Sequence, residues 1–170
     1  MKSDIASHDS SRRVFVTAQA QLSVGNAVAA IILLEDARYV LQLRDDIEPI
    51  WYPGHWGCFG GAVEPGEDSV EALRREVREE LAIEIEGATF FTEFQFDLTG
   101  LKLGRYYRKY YVVPMTVSEM GRLCLGEGVA VEAFDSETML EKLNISPYDA
   151  FALFLHARAS RLEKSSEGRL

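Results

Sequence analysis

The sequence predicts an α+β fold in which a mixed β-sheet lies between helices. Short runs rich in β-branched and aromatic residues are separated by turn residues, which is typical of strands. One amphipathic segment near the middle of the chain and two more near its C-terminus have the spacing of helices. With 170 residues, of which 47% are hydrophobic, the chain is long enough for one domain with a substantial core.

The first predicted strands surround a tight hairpin. Residues 1–22 form a polar N-terminal extension, in which residues 14–22 supply at most one short strand. Residues 27–35 (AVAAIILLE) are almost all apolar, as expected for a strand that is buried on both faces. After the turn at residues 36–38, residues 39–45 (YVLQLRD) are the predicted hairpin partner.

The central part of the chain predicts a loop, a glycine-rich turn and a helix. Residues 46–57 contain two prolines, two glycines and three aromatic residues, which is typical of a loop. Residues 58–67 predict a short strand that leads into a long turn. Asp68 is a suitable N-cap for a helix over Ser69–Leu81. The apolar stripe of this helix consists of Val70, Leu73, Val77 and Leu81.

The C-terminal half predicts two strands followed by two helices. The strands cover residues 83–98 and 105–117, which are joined by a turn. A short helix is capped near Asp135, within residues 132–143, and no strand is predicted just before it. A longer helix begins at Pro147, because Ser146 can cap it and proline is favoured at the first helical position.

The expected domain spans residues 23–162, with residues 163–170 as a disordered tail. The N-terminus lacks the apolar core of a signal peptide, and the longest apolar run, Ala27–Leu34, is too short to span a bilayer. Cys58 and Cys124 fit neither a zinc motif nor a disulfide framework. These features predict a cytoplasmic protein with no membrane partner, and they leave a homodimer open.

The overall charge limits the partners of the protein. A formal net charge of −9 disfavours nucleic acid as a partner, because such a surface repels phosphate groups. If the protein nevertheless acts on a phosphate compound, it has to neutralise the phosphates locally. A bound divalent cation is one way to do so.

Acidic residues are concentrated on one face of the central helix. Glu76, Glu79 and Glu80 are spaced by three and four positions, so their carboxylates share a face and repel one another. Ion pairs of Arg75 with Glu71 and Glu79 are the ordinary explanation for such a helix, but they leave Glu76 facing Glu80. A cation such as Mg²⁺, which prefers oxygen ligands, removes this repulsion.

The stretch from Gly61 to Ile83 resembles the Nudix box, G-x5-E-x7-R-E-U-x-E-E-x-G-U, in which U is an aliphatic residue. The matching residues are Gly61, Glu67, Arg75, Glu76, Val77, Glu79, Glu80 and Ile83. The one departure is Ala82, which stands where the family has glycine. That position follows the helix C-terminus, where a left-handed backbone is common, and alanine in this conformation costs about 1 kcal/mol.

The resemblance implies a fold and a chemistry. The fold is a Nudix-type α/β/α sandwich with a mixed central sheet and a loop-helix motif. The activity is hydrolysis of a nucleoside diphosphate linked to another group, with water attacking phosphorus. The resemblance also implies Mg²⁺ or Mn²⁺, held by the carboxylates of Glu76, Glu79 and Glu80 and by the carbonyl of Gly61.

The resemblance assigns roles to further charged residues. Arg75 and Glu67 are expected to support the catalytic site by holding the loop against the helix. Glu127 lies in a glycine-flanked loop that resembles the late acidic loop of some family members, which makes it an extra ligand or a base. Solvated loop charge is the alternative for Glu127 and also for Glu132. The candidates for the catalytic base are Glu76, Glu79 and Glu127.

Substrate-binding candidates lie outside the box. Arg44 ends a predicted strand and can reach a phosphate, unless it forms a surface ion pair with Asp45 or Asp46. Trp51 is close to the glycine turn and can stack on a base. Packing within the loop is the alternative for this aromatic group, and it is the favoured one for Trp56.

A third binding candidate is Arg108, in the run RYYRKYYVV. Strand alternation places Arg108 on one face with Tyr106 and Tyr110, whereas Lys109 lies on the other face between tyrosines. Either face offers a cation among aromatic rings, so the run does not identify a substrate.

The sequence therefore predicts a metal-dependent Nudix hydrolase, with a nucleotide sugar or a modified nucleoside triphosphate as the substrate. A nucleotide-sensing or interaction module with a decayed site is the alternative. Decay is expected to remove carboxylates from the box, and all of them are present. Intact carboxylates also favour attack at phosphorus over attack at a sugar carbon.

Overall fold

The computed structural model describes residues 23–47 and 50–167, and the strand predicted within residues 14–22 lies outside them. Six strands and four α-helices lie in this part of the chain. Their bounds are β1 Ala27–Leu34, β2 Tyr39–Leu43, β3 Trp56–Gly57, α1 Ser69–Leu81, β4 Thr89–Asp97, β5 Arg105–Met115, α2 Val117–Met120, β6 Ala130–Phe134, α3 Ser136–Lys142 and α4 Pro147–Glu167. A short 3₁₀ helix, Thr99–Leu101, lies in the turn between β4 and β5.

The strands form one mixed sheet in the order β3-β2-β1-β5-β4, and β6 also pairs with β2. β1 runs parallel to β5, with Ile31 opposite Val112. The pairings of β1 with β2, of β4 with β5 and of β6 with β2 are antiparallel. The predicted hairpin and the predicted mixed sheet are therefore confirmed.

The central strands are buried on both faces because helices pack on each side of the sheet. Alternate residues of β1 divide between two apolar clusters: Val28, Ala30 and Ile32 pack with α1, whereas Ala29 and Ile31 pack with α3 and α4. The resulting α/β/α sandwich explains why β1 is almost uniformly apolar instead of alternating.

The bounds predicted for α1 are confirmed. Asp68 caps the helix by accepting a hydrogen bond from the backbone N–H of Val70 at 2.8 Å. At the other end Ala82 adopts a left-handed conformation, with φ of 56°, and its N–H donates to the carbonyl of Arg78. The alanine therefore keeps the backbone conformation that the family glycine is expected to have.

Several elements differ from the sequence predictions. β3 lies in the segment predicted as loop, and β6 occupies residues placed in a loop and at a helix start. The sequence did not predict β6 as a strand because its residues are mostly half-buried. Polar and apolar positions therefore do not alternate clearly along it. α4 continues to Glu167, so the predicted tail boundary after residue 162 falls inside a helix.

No helix among residues 23–47 and 50–167 combines the length and the apolar composition that a bilayer crossing requires.

We expect Ala82→Gly to raise the free energy of unfolding by about 0.5–1 kcal/mol. Glycine removes the steric cost of the left-handed conformation, although it also makes the unfolded chain more flexible. Ala82 is exposed, so no packing is lost. The measurement is urea unfolding of both proteins without metal.

The matched control is Ala150→Gly, at a right-handed position in the first turn of α4. Glycine there should lower the free energy of unfolding by about 0.5–1 kcal/mol. If both variants lose stability equally, the backbone of Ala82 is not strained.

Candidate active site

The glycine turn lies against the start of β1. The carbonyls of Phe59 and Gly61 accept hydrogen bonds from the N–H groups of Ala30 and Val28, at 2.8 and 2.9 Å. The carbonyl of Gly60, between them, accepts no hydrogen bond within the described residues. The carbonyl predicted to bind metal, that of Gly61, therefore already has one hydrogen-bond partner.

Both glycines are required by close contacts. Gly60 has a φ of 125°, and a Cβ there would lie 2.4 Å from the carbonyl oxygen of Val28. A Cβ on Gly61 would lie 2.6 Å from the carboxyl carbon of Glu76. Glycine at these positions lets the turn lie directly beside the acidic face of α1.

Arg75 joins the turn to the helix. Its guanidinium forms two hydrogen bonds with the carboxylate of Glu67, at 2.9 and 3.0 Å, and a third with the carbonyl of Ala62 at 2.9 Å. The same side chain contacts Glu76 at 2.9 Å and Glu79 at 3.4 Å. Hydrogen bonding to Arg75 lowers the pKa of Glu67. These are the contacts expected of a residue that holds the loop against the helix, and a part in catalysis stays a prediction.

The three carboxylates of α1 have different environments. The Glu79 side chain is 58% exposed, whereas the Glu76 side chain is only 16% exposed. Burial raises the pKa of Glu76, Arg75 opposes this effect, and the charges of Glu79 and Glu127 add to it.

Glu80 is buried and holds the glycine turn. Its carboxylate accepts hydrogen bonds from the N–H of Gly60 at 2.8 Å and from the side chain of Gln42 at 3.4 Å. Burial raises its pKa to about 7, and the charges of Glu76 and Glu127 contribute to the increase. Gln42 was not among the predicted site residues, although it carries the one amide side chain in the strand YVLQL.

The loop that carries Glu127 is fixed at both sides of this residue. Gly126 donates its N–H to the carbonyl of Glu80 at 2.7 Å. Gly128 donates its N–H to the carboxylate of Asp45 at 3.2 Å. Glu127 is exposed between these two contacts, next to the C-terminal end of α1. Glu132 instead lies in β6 opposite Leu41, which packs on the face of the sheet away from α1. It therefore lies outside the acidic cluster, which consists of Glu76, Glu79, Glu80 and Glu127.

The acidic cluster fits a divalent cation in the kind of donor that it offers. Its four carboxylates and the Gly60 carbonyl, which has no partner within the described residues, are oxygen donors of the kind that Mg²⁺ prefers. Within residues 23–47 and 50–167, no three acidic, histidine or cysteine side chains converge closely enough to surround one ion. Glu79 points to Arg75, and its exposed side chain can rotate away from that contact.

A cleft of about 730 Å³ begins at Gly60 and Gly61 and extends over the opposite face of the sheet. The three predicted binding residues, Arg44, Trp51 and Arg108, all line it. Seven of its other side chains are aromatic: Tyr52, Phe94, Phe96, Tyr106, Tyr107, Tyr148 and Phe151.

The contacts of this region distinguish between the alternative roles that the sequence left open for Arg44 and Trp56. Within the described residues Arg44 forms no ion pair with the aspartates next to it, and its Nε donates to the carbonyl of Trp51 at 3.0 Å. Trp51 is 37% exposed, and its indole N–H donates to the carbonyl of Ser23. Trp56 packs edge-on against Phe134, with ring centroids 4.8 Å apart, so packing is the correct interpretation for this residue.

Arg108 lies in a buried network that the sequence did not indicate. Asp149, which is fully buried, accepts hydrogen bonds from Arg108, Tyr110 and Ser146 and from the N–H of Cys58. The guanidinium of Arg108 also lies 4.7 Å from the ring centroid of Tyr148. An aspartate in the first turn of a helix is usually a solvated charge, so only the fold reveals this pair.

We expect the metal-free protein to lose stability as the pH rises, because of Glu80. Between about pH 4.5 and pH 7 the unfolded chain has released the Glu80 proton while the folded protein retains it. Rising pH therefore favours unfolding, by up to about 3 kcal/mol for a shift of this size. Urea unfolding at a series of pH values in the presence of a chelator measures this slope.

Glu80→Gln should remove this part of the slope and be more stable than the wild type at pH 8. Glu71→Gln, on the exposed side of the same helix, should keep the wild-type slope. A Glu80→Gln slope equal to that of the wild type would mean that the carboxylate ionises in the folded protein as it does in water.

Comparison with known proteins identifies the family. The family model of the NUDIX domain matches residues 25–154. Nucleoside triphosphatase NudI from Escherichia coli is 48% identical to the chain over 50 residues, which are 29% of this chain and 35% of that protein. The match to these curated relatives therefore spans about a third of their length.

Solved structures share the fold. The crystal structure of a MutT protein from Methanosarcina mazei Go1 superposes with a TM-score of 0.64 at 22% identity, covering 83% of this chain and 99% of the other. The solution structure of the E. coli ORF135 protein superposes with a TM-score of 0.63 at 30% identity, covering 80% and 91%. Together with the domain match and the geometry of the box, these similarities establish that the chain belongs to the Nudix family.

Proposed function

We propose that the protein hydrolyses a phosphoanhydride bond in a nucleoside diphosphate that is linked to a further group. The observation that carries this proposal is the position of the acidic cluster of α1. Glu76 and Glu80 lie directly against the glycine turn, and the same turn forms the end of an aromatic cleft that contains two arginines. Phosphate-neutralising and base-binding groups are thus adjacent.

The acidic cluster would hold Mg²⁺ or Mn²⁺. The proposed ligands are Glu76, Glu79, Glu80 and a carbonyl of the glycine turn. That carbonyl is the one of Gly61, as the resemblance implies, or the one of Gly60, which accepts no hydrogen bond within the described residues. When bound, the metal neutralises the diphosphate and lowers the pKa of a water molecule. Arg75 holds the turn and the helix at a fixed separation, so the ligands from the two elements stay close together.

The base is proposed to be one of the exposed acids. Glu80 is committed to the N–H of Gly60, and Glu76 is committed to Arg75. Glu79 and Glu127 are exposed and can approach a water molecule above the cluster. Either carboxylate can take the proton that water loses when it attacks phosphorus.

The substrate is proposed to lie with its phosphates at the glycine turn and its base in the aromatic cleft. Arg44 would contact a phosphate and Trp51 would stack on the base. A nucleoside triphosphate is consistent with the name of the relative from E. coli, and a nucleotide sugar is consistent with the open end of the cleft. A nucleotide-sensing module is the second candidate, and the complete set of box acids disfavours it.

The first test is hydrolysis with Mg²⁺ across nucleoside triphosphates, nucleotide sugars and dinucleoside polyphosphates. We expect activity that disappears with a chelator and falls about 100-fold or more in kcat in Glu79→Gln, because that variant loses a ligand or the base. Mg²⁺ should raise the melting temperature of the wild type more than that of Glu76→Gln.

Glu71→Gln, an exposed acid on the same helix, is the control and should retain wild-type turnover. Normal turnover in Glu79→Gln together with equal metal stabilisation in Glu76→Gln would exclude the acidic cluster as the metal site.

A second test identifies the bond that is broken. Since a metal at the acidic cluster would act on phosphate oxygens, turnover in ¹⁸O-water should place the label in a phosphate product. With a nucleotide sugar, the expected products are a nucleoside monophosphate and a sugar phosphate. Mass spectrometry of the products makes the measurement. Label on the anomeric oxygen of a free sugar, with release of a nucleoside diphosphate, would contradict attack at phosphorus.

A further inference from the structure

We propose that the cleft selects nucleobases with a keto oxygen over those with an amino group at the same ring position, and that Arg108 makes this selection. The preferred bases are 6-oxopurines and 4-oxopyrimidines, and the disfavoured ones are 6-aminopurines and 4-aminopyrimidines. The inference rests on the proposed function, because it assumes that the cleft receives the base of a nucleotide.

Arg108 has hydrogen-bond donors that the protein does not use. Its Nε lies 3.1 Å from the hydroxyl oxygen of Tyr110 and 3.3 Å from Asp149, and its Nη2 donates to the same aspartate at 3.2 Å. Its Nη1 has no hydrogen-bond partner within the described residues. In that part of the chain no fully buried side-chain nitrogen or oxygen lacks a partner, and Arg108 lines the cleft, so we infer that Nη1 faces the cleft.

The guanidinium of Arg108 is held in one place. Asp149 fixes one edge of it, and the ring of Tyr148 covers a face at 4.7 Å. The Arg108 side chain is only 12% exposed. A planar donor that is held by an ion pair and a ring presents its free N–H groups in a fixed direction, which is the requirement for reading an acceptor on a ligand.

The position of Arg108 favours contact with the base over contact with phosphate. Arg108 shares a face of the sheet with Tyr110, in the cluster that packs against α3 and α4. The acids of α1 lie on the other face, beyond the glycine turn. A diphosphate held at those acids leaves the base to extend along the cleft toward Arg108.

Near Arg108 the cleft offers donors but no free carboxylate or amide oxygen from the described residues. None of the described residues that line it is an aspartate or a glutamate. Both carboxylate oxygens of Asp149, behind Arg108, already accept hydrogen bonds, and the Asn26 side-chain oxygen accepts from the N–H of Tyr107. A keto oxygen can accept from Arg108, whereas an amino group would place a donor against a donor.

The size of the effect follows from the burial of the arginine. Geometrically good contacts of arginine with base acceptors discriminate by about tenfold or more, and a base with an amino group at this ring position leaves the facing arginine N–H without a partner there. We therefore expect at least about a tenfold preference within each pair of bases that differ only in this group.

The experiment measures binding without metal, so it does not depend on turnover. Titration calorimetry of the full chain in a chelator gives the affinities of IDP and ADP, which differ at position 6 of the purine, and of UDP and CDP, which differ at position 4 of the pyrimidine. We expect IDP to bind at least about tenfold more tightly than ADP, and UDP than CDP. Equal affinities within the pairs, or no binding of any of the four, would overturn the proposal.

Arg108→Lys tests whether this residue is responsible. Lysine keeps a positive charge next to Asp149 but loses the planar fork and the stacking on Tyr148, so both preferences should fall to about twofold or less. Arg105→Lys, on the same strand and 78% exposed, should keep them. An equal loss for all four nucleotides in Arg108→Lys would mean a phosphate contact and would overturn the assignment.

The wild-type measurement decides the selectivity even if Arg108→Lys unfolds. Keto preference in binding together with no hydrolysis of any nucleotide would support the inference and contradict the proposed function. Hydrolysis of the triphosphates of the same four nucleosides, without keto preference in binding, would support the proposed function and contradict the inference.

Discussion

The Arg75–Glu67 ion pair is the contact on which the acidic cluster depends. It joins the turn before α1 to the middle of that helix by two hydrogen bonds, and the same guanidinium holds the carbonyl of Ala62. Arg75 also lies next to two of the helix acids, so it offsets part of their repulsion when no cation is present. One partly buried arginine thus sets the geometry of the turn and stabilises the metal-free cluster.

Glu80 shows why the turn and the helix must be considered together. A buried carboxylate is costly unless it is hydrogen-bonded, and here the partner is the N–H of Gly60, in a turn whose backbone only glycine tolerates. The raised pKa of Glu80 is the remaining cost of this arrangement. The same contact keeps the glycine turn, whose carbonyls are candidate metal ligands, beside the acidic face of α1.

Local sequence patterns predicted the parts of the protein that depend on local physics. The bounds of α1 follow from its cap and its apolar spacing, and the strained Ala82 follows from its place after the helix. The two faces of β5 follow from alternation, since Tyr110 and Tyr111 pack in different clusters. The short strands β3 and β6 were missed because their pairing with β2 is a tertiary contact that no local pattern records.

The candidate site divides in the same way. The box acids share one helix, so their spacing alone placed them together. Gln42 and Asp149 come from distant parts of the chain, and each had an ordinary local explanation as a strand residue or as a helix-start acid.

The sheet separates two groups of charged residues: the acids of α1 face one side, and the Arg108–Asp149 pair faces the other. Because the two groups lie on opposite faces of the sheet, substitutions at the proposed base-binding residues are expected to leave the acids of α1 in place. The region near Arg108 is therefore where specificity can differ among proteins that share the same box.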